Sequence, residues 1–328
     1  VEEKESMMFR SLCAVAASIT MTATAVAWDQ GPVIPGPQPV PLVLPATSAE
    51  NPGKAATQGA SFAERVVEIV NQERWTYNNG QLPPLKNHAL LEAAAQGHSE
   101  RMATGDFFAH CDLDTLEEFF ERVLDEGYVY SWVGENIAAG SSSPEAVVAG
   151  WMNSPGHRAN ILNTDFREIG VGYYYQAGDQ SNVRQDLLPN TYPPGPDCVA
   201  DSFGNGPWYR YWTQNFGARS SGYPVVIERE AYETSSRTVD LYLYGSGWAT
   251  EMRIRNDCGS FGAWQAFAAN VSGWELCAED GVREVFVEIR NGGGSVRSAS
   301  DTIVLSGAFN EIFSDGFESS DTTAWSAP

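Results

Sequence analysis

The chain has 328 residues, of which 20 are Lys or Arg and 42 are Asp or Glu, a formal charge of -22. That balance excludes a nucleic-acid binder, because a phosphate backbone needs a basic face to release its counterions. With 43% hydrophobic and 12% aromatic residues the chain can bury a sizeable core, and its length suggests about two folded units.

Met7-Met8-Phe9-Arg10 leads into an uncharged run from Ser11 to Ala27 that ends Ala25-Val26-Ala27. These are the parts of a secretory signal peptide with cleavage after Ala27, and the Ala-, Ser- and Thr-rich run with its Ala-x-Ala site argues against an anchor. Residues 1–27 are therefore expected to be a signal, the product to be secreted, extracellular or at the cell surface, and no transmembrane segment to remain after cleavage. Residues 28–60 hold Pro32, Pro35, Pro37, Pro39, Pro41, Pro45 and Pro52 without an apolar period, and read as a proline-rich linker. Cys13 lies in the signal, which leaves Cys111, Cys198, Cys258 and Cys277, an even set for an oxidising compartment. Four cysteines allow three pairings; Cys258 with Cys277 and Cys111 with Cys198 is favoured, with free thiols at Cys111 and Cys198 as the alternative.

Helical spacing begins after Ser61, a plausible N-cap, with Phe62, Val66, Ile69 and Val70, and stops before Asn78-Asn79-Gly80. Asn87 is expected to cap a second helix that lines up Leu91, Ala94, Ala95, His98 and Met102. Thr115-Leu116-Glu117-Glu118 reads as a capping box opening a third helix that Gly127 closes. Ser143-Pro144 and Ser154-Pro155 start two more, proline being favoured at the first helical position. Gly134 to Gly140 reads as an irregular apolar segment. Ile169, Val171 and Tyr173 alternate as a strand, Tyr209 to Phe216 is a second, and Gln176 to Pro207 between them reads as an irregular loop stapled by Cys198. From Tyr223 onward the period changes to short strands around Val239–Tyr244, Met252–Arg255, Val285–Ile289 and Thr302–Leu305, the pattern of a β-sandwich. Residues 307–328 form an acidic tail.

All four histidines, His88, His98, His110 and His157, lie in the helical half. His88 reads as solvated and His98 as a core histidine, which makes His110 and His157 the better site candidates. Glu135 sits in an apolar segment where a charge must find a partner, and Glu121 lies beside Phe119 and Phe120. Spacing alone leaves both glutamates open to a surface or ion-paired role.

The ordered set Asn71-x-x-Arg74, Leu82-Pro83-Pro84-Leu85, Phe108-Ala109-His110, Phe120-Glu121-Arg122, Gly134-Glu135-Asn136-Ile137, Trp151 to Leu162, Ile169-Gly170-Val171-Gly172 and Tyr211 to Gly217 resembles the CAP superfamily. This is the group of cysteine-rich secretory proteins, antigen 5 and class 1 pathogenesis-related proteins, and the likeness is to its bacterial secreted branch. The resemblance implies an α+β architecture: an α-β-α sandwich over residues 61–218, with a cleft carrying His110, Glu121, Glu135 and His157. His110 and His157 would hold a divalent metal, Zn²⁺ being favoured by nitrogen ligands, while Glu121 and Glu135 orient the imidazoles or bind the ion's waters. It also implies a small apolar ligand such as a lipid, or a cell-envelope component, as a partner. Tyr211-Trp212-Thr213-Gln214 stands where the family has His-Tyr-Thr-Gln, and the cysteine-rich tail motif of eukaryotic members is missing, so activities tied to that tail are not carried over. A metal-dependent hydrolase acting on peptides or envelope material, and an adhesive surface protein with a vestigial site, are the alternatives. Residues 219–306 are similar to immunoglobulin-like sandwiches. Trp248, Trp264 and Trp274 there are expected to pack in the core rather than line a binding face.

Overall fold

The computed structural model describes residues 33–35, 60–77, 79–186, 198–200 and 202–307. The signal, most of the linker, part of the loop before Pro207 and nearly all of the tail lie outside the described residues. The first half runs β1 (Val33–Pro35), α1 (Phe62–Tyr77), β2 (Lys86–Asn87), α2 (Ala89–Thr104), β3 (Phe107–Phe108), α3 (Phe119–Asp125), β4 (Trp132–Ala139), α4 (Pro144–Asn153), α5 (Pro155–Ile161), β5 (Glu168–Tyr175), β6 (Val183–Gln185), β7 (Ser202–Asn205) and β8 (Arg210–Ala218). A five-stranded sheet takes the order β1-β4-β8-β5-β2. It is antiparallel except where β2 meets β5.

Helices cover both faces of this sheet. Val66, Val67 and Val70 of α1, Val147, Val148 and Trp151 of α4 and Ile161 of α5 bury against Ile169, Val171, Trp212 and Phe216. On the other face α2 lies directly on β5, and this is why β5 alternates glycine with larger residues. A Cβ at Gly170 would stand 2.1 Å from the Glu92 nitrogen, and one at Gly172 2.3 Å from the Ala95 carbonyl carbon. Ser61 and Glu64 cap α1 reciprocally, at 2.8 and 3.2 Å. The conspicuous Asn71 and Arg74 are structural. Asn71 pairs with both backbone groups of Leu85, and buried Arg74 donates to the carbonyls of Pro83, Ile161 and Asn163.

Several local expectations shift. α2 is capped by His88, whose Nδ1 accepts from the Leu90 N–H at 3.3 Å, and not by Asn87. The cap of α3 is Glu118, whose N–H donates to Glu121 Oε2 at 3.0 Å, three residues later than Thr115. Gly134 to Gly140 is largely the regular strand β4 and not an irregular segment; it reads as irregular because both of its faces are covered, which erases the polar alternation of an exposed strand. The segment before Pro207 includes β6 and β7, which join β3 in a three-stranded sheet.

In the second half, β9 (Val225–Ile227), β10 (Glu233–Thr234), β11 (Thr238–Leu243), β12 (Glu251–Asn256), β13 (Gln265–Ala266), β14 (Asn270–Glu275), β15 (Gly281–Arg290) and β16 (Val296–Leu305) form two sheets, β14-β11-β9 and β10-β16-β15-β12-β13. Val225, Ile227, Val239 and Leu241 from one sheet pack on Ile254, Val285, Val287 and Ile303 from the other. The three tryptophans sit at the margins of this core and none is fully buried. Trp248 stacks on Tyr223, Trp264 lies under Arg253 and Arg290, and Trp274 donates to Asn256 Oδ1 at 2.7 Å.

The halves meet along a polar seam. Lys86 Nζ lies 2.7 Å from both Glu230 and Asp301, and all three side chains are buried. Asp301 also accepts the Ile227 N–H at 2.7 Å. Glu228, Arg229 and Glu230 form a turn with three consecutive left-handed φ values of 44, 57 and 67°, a conformation costly for non-glycine residues and held only where its surroundings over-determine it. Here Asn71 Nδ2 donates to the Arg229 carbonyl at 3.0 Å, Tyr232 N–H donates to Glu68 at 2.6 Å, and Tyr244 OH donates to the Pro84 carbonyl at 2.9 Å.

Candidate functional site

His110 follows β3, Glu135 lies in β4, and His157 is in the first turn of α5. Glu135 is fully buried. Its Oε1 lies 2.8 Å from His110 Nδ1 and its Oε2 2.9 Å from Arg122 Nη2. The same Arg122 nitrogen donates to the His110 carbonyl at 2.7 Å, and Nη1 donates to the Glu117 carbonyl at 3.1 Å. The Asn215 amide, turned so that its nitrogen meets an acceptor, adds a bond to Glu135 Oε2 at 3.2 Å. Burial works against the charge on Glu135, but the Arg122 guanidinium foremost, with the neighbouring imidazoles, outweighs it and holds the carboxyl below the usual range. An ionised Glu135 accepts from His110 Nδ1–H, which leaves Nε2 as the nitrogen that can face a ligand.

His157 is buried and neither ring nitrogen has a hydrogen-bond partner. Burial, with His110 nearby, pushes its pKa down to about 3, so the ring is neutral at physiological pH. Backbone and amide contacts tie this region together: Asn136 Nδ2 donates to the His157 carbonyl at 3.2 Å and to Gln214 Oε1 at 3.0 Å. Glu121 sits apart from the pairings of Glu135. It is exposed, and its carboxylate closes the first turn of α3. Glu118 of the same turn is raised by burial foremost, with the charges of Glu121 and Glu135 adding to it.

Of the other histidines, His98 is a core residue, as its helical face indicates. Its Nε2 lies 2.9 Å from the Ala109 carbonyl, and burial pushes its pKa down to about 3. His88 is buried, against the expectation of a solvated ring, because α2 is capped through it and its edge packs on Tyr128 at 4.9 Å. The disulfides Cys111–Cys198 and Cys258–Cys277 both form, the first anchoring the residue next to His110. Arg122 and Asn215 are the site partners that spacing did not reveal, although Arg122 stands inside the Phe120-Glu121-Arg122 motif.

A divalent ion at this site would take imidazole nitrogens from His110 and His157. The orphaned nitrogens of buried His157 are the observation that supports it, since a buried ring without partners is costly unless something binds it. Among the described residues, the one group of three His, Cys, Asp or Glu side chains with ligand atoms within 4.8 Å of each other is Asp257, Cys258 and Cys277, and its sulfurs are already joined as a disulfide. Clefts of about 90 and 390 Å³ lie along the seam and are lined by none of the four candidate residues.

The profile of the cysteine-rich secretory protein family, CAP, matches residues 67–192. The uncharacterized protein YkwD of Bacillus subtilis is 40% identical over 119 residues, 36% of this chain and 45% of that protein. The uncharacterized membrane protein YlbC of the same organism is 40% identical over 131 residues, 33% of this chain and 37% of the other. The chain thus spans less than half the length of these curated relatives. A solved extracellular protein containing a SCP domain from Bacillus anthracis is 28% identical with a TM-score of 0.35, covering 48% of this chain and 40% of its own. Among the described residues no helix is long and apolar enough to cross a membrane. Residues 67–192 are thus similar to the cysteine-rich secretory protein (CAP) family.

Proposed function

We propose that the chain is an exported protein whose CAP cleft binds a divalent metal, with Zn²⁺ the best match, through His110 and His157. The observation that supports this reading is the buried His157 ring without partners, set beside a His110 whose tautomer Glu135 fixes. The ion would act as a Lewis acid for whatever ligand completes its coordination. The chain's own residues do the rest: Arg122 keeps Glu135 charged, Glu135 holds His110 Nδ1–H, and Asn136 fixes the backbone at His157. In this reading Glu135 is a buried orienting group, and Glu121, whose carboxylate caps α3, would bind the ion's waters. A hydrolase would need a free general base, and Glu135 is already committed on both oxygens; metal and ligand binding is therefore preferred over catalysis. A small apolar ligand remains the second component of this reading, and Leu116, Leu124 and Trp132 supply exposed apolar surface in the same half of the chain. Residues 1–27 act as the signal, 28–60 as the linker, 61–218 as the CAP domain, 219–306 as an immunoglobulin-like sandwich and 307–328 as the tail.

Calorimetric titration of Zn²⁺ into the wild type and into His110→Ala/His157→Ala tests this. One site in the wild type and none in the double variant is expected. Equal uptake by both would sink the reading. With two protein ligands, affinity should fall well below that of zinc sites with three or four.

A further inference from the structure

The edge of β4 beside the candidate site is divided. Its inner side pairs with β8 along its whole length, from Trp132 opposite Ala218 to Ala139 opposite Tyr211. On the outer side, Asn160 Nδ2 donates to the Glu135 carbonyl at 3.2 Å and Trp151 Nε1 donates to the Ile137 carbonyl at 3.1 Å. In an antiparallel strand, outward-facing backbone groups recur at every second residue. Glu135 and Ile137 are therefore turned away from β8, and so is Val133. α4 and α5 seal the edge from Glu135 onward with side-chain donors, and the strip Trp132–Gly134 is left to take a strand. β1 lies on that strip, antiparallel, with Val33 opposite Gly134, Ile34 opposite Val133 and Pro35 opposite Trp132. The strand thus ends where β4 enters the site.

We propose that the Trp132–Gly134 edge of β4 is a docking strip for an extended apolar, proline-bearing peptide, that the chain's own Val33–Pro35 occupies it in cis, and that a peptide supplied in trans takes it once that segment is displaced. Strand addition to an open edge draws its affinity from main-chain hydrogen bonds, and one outward-facing residue supplies few of them. Pairing over three residues is weak by itself and is secured by tethering, which gives a local concentration on the order of millimolar. Proline at the third position lies opposite Trp132, so the N–H it lacks is one that would face away from β4. This blunts the outer edge of β1 against open-ended pairing. The strip borders the histidine cleft without needing a metal there, so the inference stands or falls separately from zinc binding.

The test is hydrogen exchange at the Val133 amide in the full chain, in EDTA, with the Gly172 amide, on the β8 side of β5, as a control for the fold. In Ile34→Pro the Val133 amide should exchange at least tenfold faster than in the wild type, with Gly172 unchanged. A synthetic peptide of residues 31–40 at millimolar concentration should restore the protection, and the same peptide carrying I34P should not. Ile34→Asp provides a second displacement variant that leaves the backbone N–H in place. Equal exchange at Val133 in wild type and both variants overturns the proposal, as does failure of the peptide to restore protection. Dimerisation of the variants without peptide uptake would assign the strip to a second copy of the chain and overturn it as well.

Discussion

Glu135 shows how a carboxylate survives with no solvent contact: one guanidinium, one imidazole N–H and one amide surround it. His88, His98 and His157 solve the opposite problem by staying neutral, and that makes the fold sensitive to acid. Burial pushes His88 down to about 4 and His98 to about 3, whereas in the unfolded chain both titrate near ~6.5. As the pH falls below ~6.5, the unfolded chain binds protons that the fold refuses. This part of the stability is complete above that pH and drains away toward pH 4 for His88 and pH 3 for His98. The loss is up to ~1.4 kcal/mol per pH unit for each ring. Urea denaturation at pH 7, 6 and 5 should show the decline, and His98→Gln should flatten it; an unchanged slope would show that His98 is not refusing a proton. His110, Glu135 and His157 could be singled out as candidates because each stands in a motif of fixed order, and the structure joins the first two. Arg122 was not given a role, since an arginine next to a glutamate on a short helix carries no periodic mark of the buried anion it will meet 13 positions later.

At the scale of elements, β5 and α2 are fitted backbone to backbone, and the fit depends on Gly170 and Gly172. Gly172→Ala should cost ~3 kcal/mol, the upper end of overpacking costs, because the neighbour that must move is main chain and not a flexible side chain. The measurement is the urea midpoint, and a shift within error would mean that the helix can slide. The alternation of β5 was readable as a strand, but the reason for its glycines was not, since nothing local says that a helix lies on that face. The caps of α2 and α3 were misplaced for a related reason. Asn87 and Thr115 have the right chemistry, and the hydrogen bonds went instead to His88 and Glu118, where the incoming chain has the extended φ and ψ that an N-cap requires. β4 was hidden by its own burial.

Across the whole molecule, the switch from helical to strand periodicity near Tyr223 announced two layers of architecture, while the seam between them had no sequence signature. Lys86 and Asp301 are 215 positions apart, and neither sits in a motif. Burial disfavours the Lys86 charge, but Asp301 and Glu230 more than compensate and raise its pKa. Lys86→Met would leave two carboxylates buried without their cation, at a cost of ~3–5 kcal/mol. Because the turn Glu228–Glu230 and the Tyr244–Pro84 bond cross the same boundary, heating should unfold the wild type in one calorimetric transition, and Lys86→Met should split it or lower it as a whole. Two well-separated transitions already present in the wild type would show that the seam is incidental.

The distance in sequence across that triad also sets an order of events. Lys86 belongs to β2 and its partner Asp301 to β16, the last strand described, so the contact closes only after nearly the whole chain is available. Closing so long a loop costs entropy before any contact repays it. A seam closed this late would be absent from the folding transition state, its strength going to the barrier to unfolding. Weakening it at Lys86 should speed unfolding and leave the refolding rate almost untouched, which makes the seam a brake on the protein's lifetime more than a guide to its fold.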